Sequence, residues 1–162
     1  MKIYSKIFQI ALIGLIAVSG LSPTEAAIKI PDDLSGPPYI LDQAGQTYIL
    51  TQDITTPGTA IIIPVSGVTL DLNGYTITYG TSSETSYGIT TSGWYGLDNL
   101  IVKNGTILQG AANGSQSHAV YIQNNKNDEV FNLNITVQGP DTENIYLAWC
   151  GPANIHHNTL YN

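Results

Sequence analysis

Val68-Thr69-Leu70-Asp71-Leu72-Asn73-Gly74-Tyr75-Thr76-Ile77 lies without a gap on Asp98-Asn99-Leu100-Ile101-Val102-Lys103-Asn104-Gly105-Thr106-Ile107, thirty residues on. That stretch lies in turn on Asp128-Glu129-Val130-Phe131-Asn132-Leu133-Asn134-Ile135-Thr136-Val137, thirty further. The alignment predicts one column of Leu70, Leu100 and Val130 and a second of Ile77, Ile107 and Val137, with Thr76, Thr106 and Thr136 just before it. A turn column of Gly74, Asn104 and Asn134 uses residue types that tolerate left-handed backbone angles. Weaker copies flank the set, from Leu41 to Gly45-Gln46-Thr47-Tyr48 and from Asn154 to Leu160. A period of this length is the mark of a solenoid, whose repeats bury their apolar edges only by stacking on one another.

The contents of the repeat select the type of solenoid. No run at 3.6-residue spacing long enough for a helix survives beyond the N-terminus. The segments are short, alternating and rich in β-branched residues, and Gly, Asn, Pro and Ser interrupt them every few residues. A second segment recurs before each of these: Thr59-Ala60-Ile61, Tyr87-Gly88-Ile89, His118-Ala119-Val120 and Glu143-Asn144-Ile145. Each coil therefore carries two or three strands, and equivalent strands of successive coils stack in parallel. Parallel crossovers are right-handed, so the expected fold is all-β: a right-handed parallel β-helix of about four to five coils. Leu70, Leu72, Leu100, Val102, Val130, Ile77, Ile107 and Val137 are expected inside, and the turn asparagines Asn104, Asn134 and Asn158 are expected to bond from coil to coil.

The same runs resemble the pectin-lyase-like, right-handed β-helix repeat proteins. Val68 to Ile77 looks like an opening coil of that family, and Asn104-Gly105-Thr106-Ile107 and Asn158-Thr159-Leu160 look like later turns. The resemblance spans Tyr39 to Asn162. It implies a fold, and an extracellular polysaccharide as the class of partner, without supplying chemistry, because the family's repeats are structural. Its lyases use a basic proton abstractor with calcium held by acids, and its hydrolases use paired aspartates and a Gly-His-Gly motif. This chain has no arginine, Lys103 and Lys126 sit in no matching motif, and the hydrolase motifs are missing.

Met1, Lys2 and Lys6 precede an apolar run from Ile7 to Leu21, followed by Ser22-Pro23-Thr24-Glu25-Ala26. A basic start, a short apolar core and small residues at the cut read as a secretory signal peptide over 1–26, with a β-helix domain over 27–162. The apolar run is shorter than the roughly twenty residues a membrane span needs. A secreted or extracytoplasmic protein follows, with no membrane insertion once the signal is removed. The remaining chain sets three lysines against eleven acids, a net charge of −8. So acidic a chain is a poor partner for nucleic acid, whose phosphates need basic groups. Nothing after Leu160 resembles the polar cap a solenoid end needs, so the chain is expected either to continue in a longer protein or to pair there with another molecule.

The candidate chemistry is sparse. Asp71, Asp98, Asp128, Glu129, Asp141 and Glu143 include no two in equivalent positions that would force an acid/base pair. Calcium is the one cofactor the sequence leaves open, around Asp128-Glu129 or Asp141-x-Glu143, although neither matches an established calcium loop. His118 reads as an isolated turn residue, and His156 and His157 as strand neighbours pointing to opposite faces, so no metal ligand is assigned. Cys150, the single cysteine, reads as a buried thiol packed as a small hydrophobe. The aromatics carry the functional expectation. Trp94 and Tyr95, in a glycine-flanked loop, are the predicted sugar-stacking residues, with Tyr79, Tyr87, Tyr121 and Tyr146 extending the surface along the axis. Recognition of an extracellular polysaccharide, with any cleavage performed by other parts of a larger polysaccharide lyase or glycoside hydrolase, is the leading reading, and a non-catalytic surface or adhesive scaffold is the alternative.

Overall fold

A computed structural model describes residues 26–82, 84–92, 96–110 and 115–162. Over these residues the protein is a parallel β-solenoid of about five turns with no helix. Strands β1 (Ile28–Ile30) and β2 (Tyr39–Ile40) open it. The next two coils each carry three short strands: β3 (Thr47–Leu50), β4 (Ile54–Thr55) and β5 (Ile61–Ile63), then β6 (Thr69–Asp71), β7 (Thr76–Tyr79) and β8 (Ile89–Thr91). In the following two coils the first pair of strands fuses into one long bent strand. These are β9 (Ile101–Gln109) with β10 (Val120–Gln123), and β11 (Asp128–Thr136) with β12 (Ile145–Ala148). Strands β13 (Ala153–His156) and β14 (Thr159–Tyr161) end the described chain. The nine-stranded sheet holds both legs of each bend, and β2, β5, β8, β10 and β12 form a five-stranded sheet on the other side.

The corner leading into the nine-stranded sheet is built from left-handed residues stacked on one another. Gly45, Gly67, Asn99 and Asn127 have φ of 77°, 75°, 59° and 58°. The amide of Gly45 donates to Ser66 O, that of Gly67 to Asp98 O and that of Asn99 to Lys126 O. Glycine pays no Cβ penalty there, and asparagine pays less than other residues. Gly45 thus stands over Gly67, not over Gly74, twenty-nine residues on, where the weaker flanking copy falls on the repeat.

That alignment holds along only one leg. Ile77 pairs with Ile107, but Leu70 pairs with Val102 rather than Leu100, and Val102 with Val130. Ile107 pairs with Ile135 rather than Val137, and the polar column runs Thr76, Thr106, Asn134. The second corner causes the first of these slips, whereas from β9 to β11 both legs shift together, Val102 to Val130 and Ile107 to Ile135, because the whole coil is shorter than thirty residues. Between β6 and β7 the chain turns on two left-handed residues, Asn73 and Gly74, whereas β9 and β11 pass the same corner on the single residues Asn104 and Asn132. Between the paired positions six residues separate Leu70 from Ile77 and four separate Val102 from Ile107, so the third coil spends two extra residues at this corner and its register slips by two. A slip of two leaves every side chain on its face of the sheet. All eight expected core residues are accordingly 0–2% exposed, although of the four expected column pairs only Ile77–Ile107 forms.

The coil-to-coil amides shift in the same way. Asn132 donates to the side-chain oxygen of Asn104 at 3.3 Å, and Asn104 donates to both carboxylate oxygens of Asp71 at 3.1 and 3.2 Å. Asn134 is not in this ladder; it sits exposed on β11. Asn158 does link coils, accepting from Leu133 N and donating to Val130 O. The second recurring segment keeps its predicted register throughout: Ile61, Ile89, Val120 and Ile145 pair in sequence. Cys150 is only partly buried, packed against the core with Sγ 3.4 Å from Ile122 O.

Leu100 stacks between Val68 and Asp128, one residue before the pairs Thr69–Ile101 and Ile101–Glu129. Asp128 is not a solvated turn acid. It is 2% exposed, its Oδ1 accepts from Leu100 N at 3.0 Å, and its Oδ2 has no partner. Burial pushes its carboxyl above the ordinary range, opposed by the Leu100 amide and the Asn125 side chain and helped by Asp98. A folded-state value above the unfolded one means the fold holds a proton that the unfolded chain gives up. Stability from this group is present below the ordinary aspartate range of about 4 and is lost as pH rises through the folded value. Asp128→Asn should raise the melting temperature at pH 7 and leave it little changed near pH 3. Melting curves at both pH values check this, and an equal effect at both would remove the buried charge from the account.

Candidate functional site

The predicted platform residues Trp94 and Tyr95 lie outside the described residues. Tyr79, assigned to the same surface, is instead fully buried. Its hydroxyl donates to Ser117 O at 2.7 Å, and burial drives its phenol well above the usual range. The other three tyrosines do come together. Alternation along β10 and β12 turns Val120 and Ile122 inward, which sends Tyr121, and Tyr146 in register beside it, to the outer face of the five-stranded sheet.

Tyr87 and His118 come from the recurring segment just before these strands. Ala60 N donates to Tyr87 O, Gly88 N to His118 O and Ala119 N to Glu143 O, so Tyr87, His118 and Glu143 occupy one column. Gly88 is obligatory at this corner, since a Cβ would meet the Ala119 carbonyl and the side chain of Ile107. The result is a cluster of four rings. Tyr87 stacks on Tyr121 at 5.0 Å between centroids, and Tyr121 on Tyr146 at 5.6 Å and 10°. His118 packs against Tyr146 at 4.7 Å and against Tyr87 and Tyr121 at 6.0 and 5.6 Å. Tyr121 and Tyr146 stack as identical side chains do on adjacent parallel strands, whereas Tyr87 reaches Tyr121 from the corner column, since the register partner of Tyr121 on β8 is Thr90. Among the described residues Tyr146 has its tyrosine neighbour in Tyr121 and is 42% exposed.

Beside the rings is a cavity of about 440 Å³ walled by Tyr87, Gln116, His118, Tyr121, Tyr146, Asp141 and Glu143. Gln109, itself buried, fixes the wall that carries the acids: its Oε1 accepts from Gln138 N at 2.8 Å and Gly139 N at 3.0 Å. His118 is neither isolated nor solvated. It is 6% exposed, and its Nδ1 lies 2.6 Å from Glu143 Oε2 and 3.1 Å from Glu143 N. One proton cannot serve both contacts. The shorter, charge-assisted one assigns it to Nδ1, donating to the carboxylate. Burial lowers the histidine's affinity for a second proton, and Glu143 partly offsets this. Burial likewise raises the Tyr87 phenol, with Tyr121 adding to the effect. The cleft is thus aromatic and hydroxyl-rich, and Asp141 and Glu143 are the acids in its walls.

Two other readings change. Asp128 faces inward and Glu129 outward from β11, so the pair cannot share one calcium ion. Among the described residues no three His, Cys, Asp or Glu side chains converge on an ion-sized site. The two C-terminal histidines, expected to diverge, converge: His156 Nδ1 is 2.6 Å from His157 Nδ1. His157 is left-handed, with φ 53°, and this breaks the strand alternation that would have separated the rings.

Compared with protein-family models, with curated proteins and with solved structures, the chain matches none of them.

Proposed function

We propose that this is a secreted β-helix protein, related to the pectin-lyase-like proteins, that binds an extracellular polysaccharide in the Tyr87–Tyr121–Tyr146 cleft. The observation that carries the reading is the outward-facing aromatic ladder, with Tyr146 its exposed member, set against a cavity lined by hydrogen-bonding groups. A pocket of this volume suits one or two sugar rings, with a few placed polar groups fixing orientation. Stacked rings cover each other's faces, so the ladder presents edges and phenol hydroxyls, and the 42% exposed Tyr146 ring is where a sugar packs. Glu143 and Asp141 accept from sugar hydroxyls or amines. Two carboxylates in the wall of a strongly acidic protein repel a polyuronate, so the substrate class is a neutral or amine-bearing glycan.

Binding to soluble glucan, chitosan and polygalacturonate oligomers tests the proposal. Tyr146→Ala should weaken binding of the preferred glycan about fivefold, the loss of roughly 1 kcal/mol for one stacked ring. Trp94→Ala with Tyr95→Ala tests the loop residues separately. Retention of full affinity in Tyr146→Ala would remove the ladder from the site, and preference for polygalacturonate would overturn the substrate class. Binding is expected without turnover, because a basic proton abstractor and a paired-aspartate motif are both missing from the sequence. The adhesive scaffold is the competing reading, and it predicts binding to none of the three.

A further inference from the structure

The geometry points to a transition-metal site at His156 and His157, independent of the glycan cleft. His156 lies on β13, directly beside Phe131 of β11, and its ring stacks on that phenyl ring at 5.0 Å and 7°. Its Nε2 is 3.0 Å from Glu129 Oε1. A carboxylate only accepts, so this contact places the imidazole hydrogen on Nε2 and leaves the Nδ1 lone pair bare. That lone pair faces Nδ1 of His157, 2.6 Å away. A histidine whose far nitrogen donates to a carboxylate is the usual outer shell of a metal-bound imidazole, because it fixes the tautomer and raises the ring's basicity.

His157 completes the pair from the corner position that Asn104 and Asn132 hold in the preceding coils, with φ 53° against their 62° and 55°. Both rings are reachable from solvent: His157 is exposed and His156 partly so. Neutral His157 shifts its hydrogen to the solvent-facing Nε2 on binding, or a cationic ring releases one proton, and two bare nitrogens then address one ion. At the Zn–N distance of about 2.0–2.1 Å, two such ligands stand about 2.9–3.3 Å apart for angles between square and tetrahedral. The rings therefore need to part by less than about 1 Å, and the exposed His157 has room to do so. Two imidazoles with water at the remaining positions suit Ni²⁺, Cu²⁺ or Zn²⁺ and not Ca²⁺, which takes six to eight oxygens.

The test uses the untagged protein and Ni²⁺ or Zn²⁺ alone, titrated calorimetrically, with Ca²⁺ as comparison. One equivalent of Ni²⁺ should bind. His157→Asn, which restores the residue type used at this corner in the two coils before it, should keep the parent melting temperature and bind at least tenfold more weakly. Glu129→Ala leaves both imidazoles in place and should weaken binding by about 10- to 100-fold through the lost outer-shell acceptor. Nitrogen-resolved NMR should show both Nδ1 resonances moving on addition of diamagnetic Zn²⁺. The proposal is overturned if the parent binds no more tightly than His157→Asn, if Ca²⁺ competes equally, or if only Nε2 resonances move.

Discussion

Leu100→Asp should unfold the protein or lower its stability by several kcal/mol, the largest loss expected from any single core substitution here. Leu100 is 2% exposed and its column neighbours are Val68 and Asp128. A carboxylate at this site has no water and no free donor, and its desolvation alone is costly. It would also stand next to a second buried acid whose Oδ2 is already unpartnered, so the two cannot both ionise. Protonating one of them is the least costly escape. Leu100→Asp should therefore be less damaging at pH 4 than at pH 8, whereas Leu100→Asn, uncharged at both, should be equally damaging at each. Urea unfolding of the three proteins at the two pH values gives the comparison. A Leu100→Asp protein that melted like the parent would place Leu100 outside the column.

The inward faces were legible in the sequence because they depend on parity, and the slip between coils is an even number of residues. The columns were less legible. An ungapped alignment has no way to register that Asn73-Gly74 takes up two residues at a corner that Asn104 and Asn132 each pass alone. The segment containing Tyr87, His118 and Glu143 was aligned correctly, and Tyr87 was placed on the sugar-stacking surface, yet His118 and Glu143 were not read as part of that site. A column of unlike polar residues carries no chemistry until the neighbouring column, Tyr121 and Tyr146, stands beside it. The cavity's acidic wall was beyond reach for another reason. Its shape comes from residues 138–142 after β11, anchored by Gln109, which lie outside both recurring segments. The histidine pair was misread because strand alternation fails wherever a residue turns left-handed, as His157 does.

Two Asn-Gly pairs in the repeat look alike in sequence, and the fold uses their glycines for different reasons. Gly74 has φ 84° and nothing within 4 Å of where a Cβ would stand, so it is needed for its backbone angle alone. Gly105 has no left-handed angle. A Cβ there would collide with Leu72 Cβ and come within 2.7 Å of Tyr75 O, the carbonyl that accepts from Thr106 N. Leu72 is fully buried against the bend of β9, and backbone on the other side gives it nowhere to move. Asparagine separates the two cases, because it tolerates left-handed angles yet carries a full side chain. Gly74→Asn should cost less than about 1 kcal/mol, since the strain it would otherwise meet is the one asparagine relieves. Gly105→Asn should cost about 3 kcal/mol or more, as overpacking in a closed site forces the backbone apart and buries an unpaired amide. For a domain of this size that corresponds to a fall in melting temperature of roughly 10 °C. Equal melting temperatures for the two variants would mean that Leu72 does not close over the bend of β9, and the two-residue slip between the third and fourth coils would lose its structural basis.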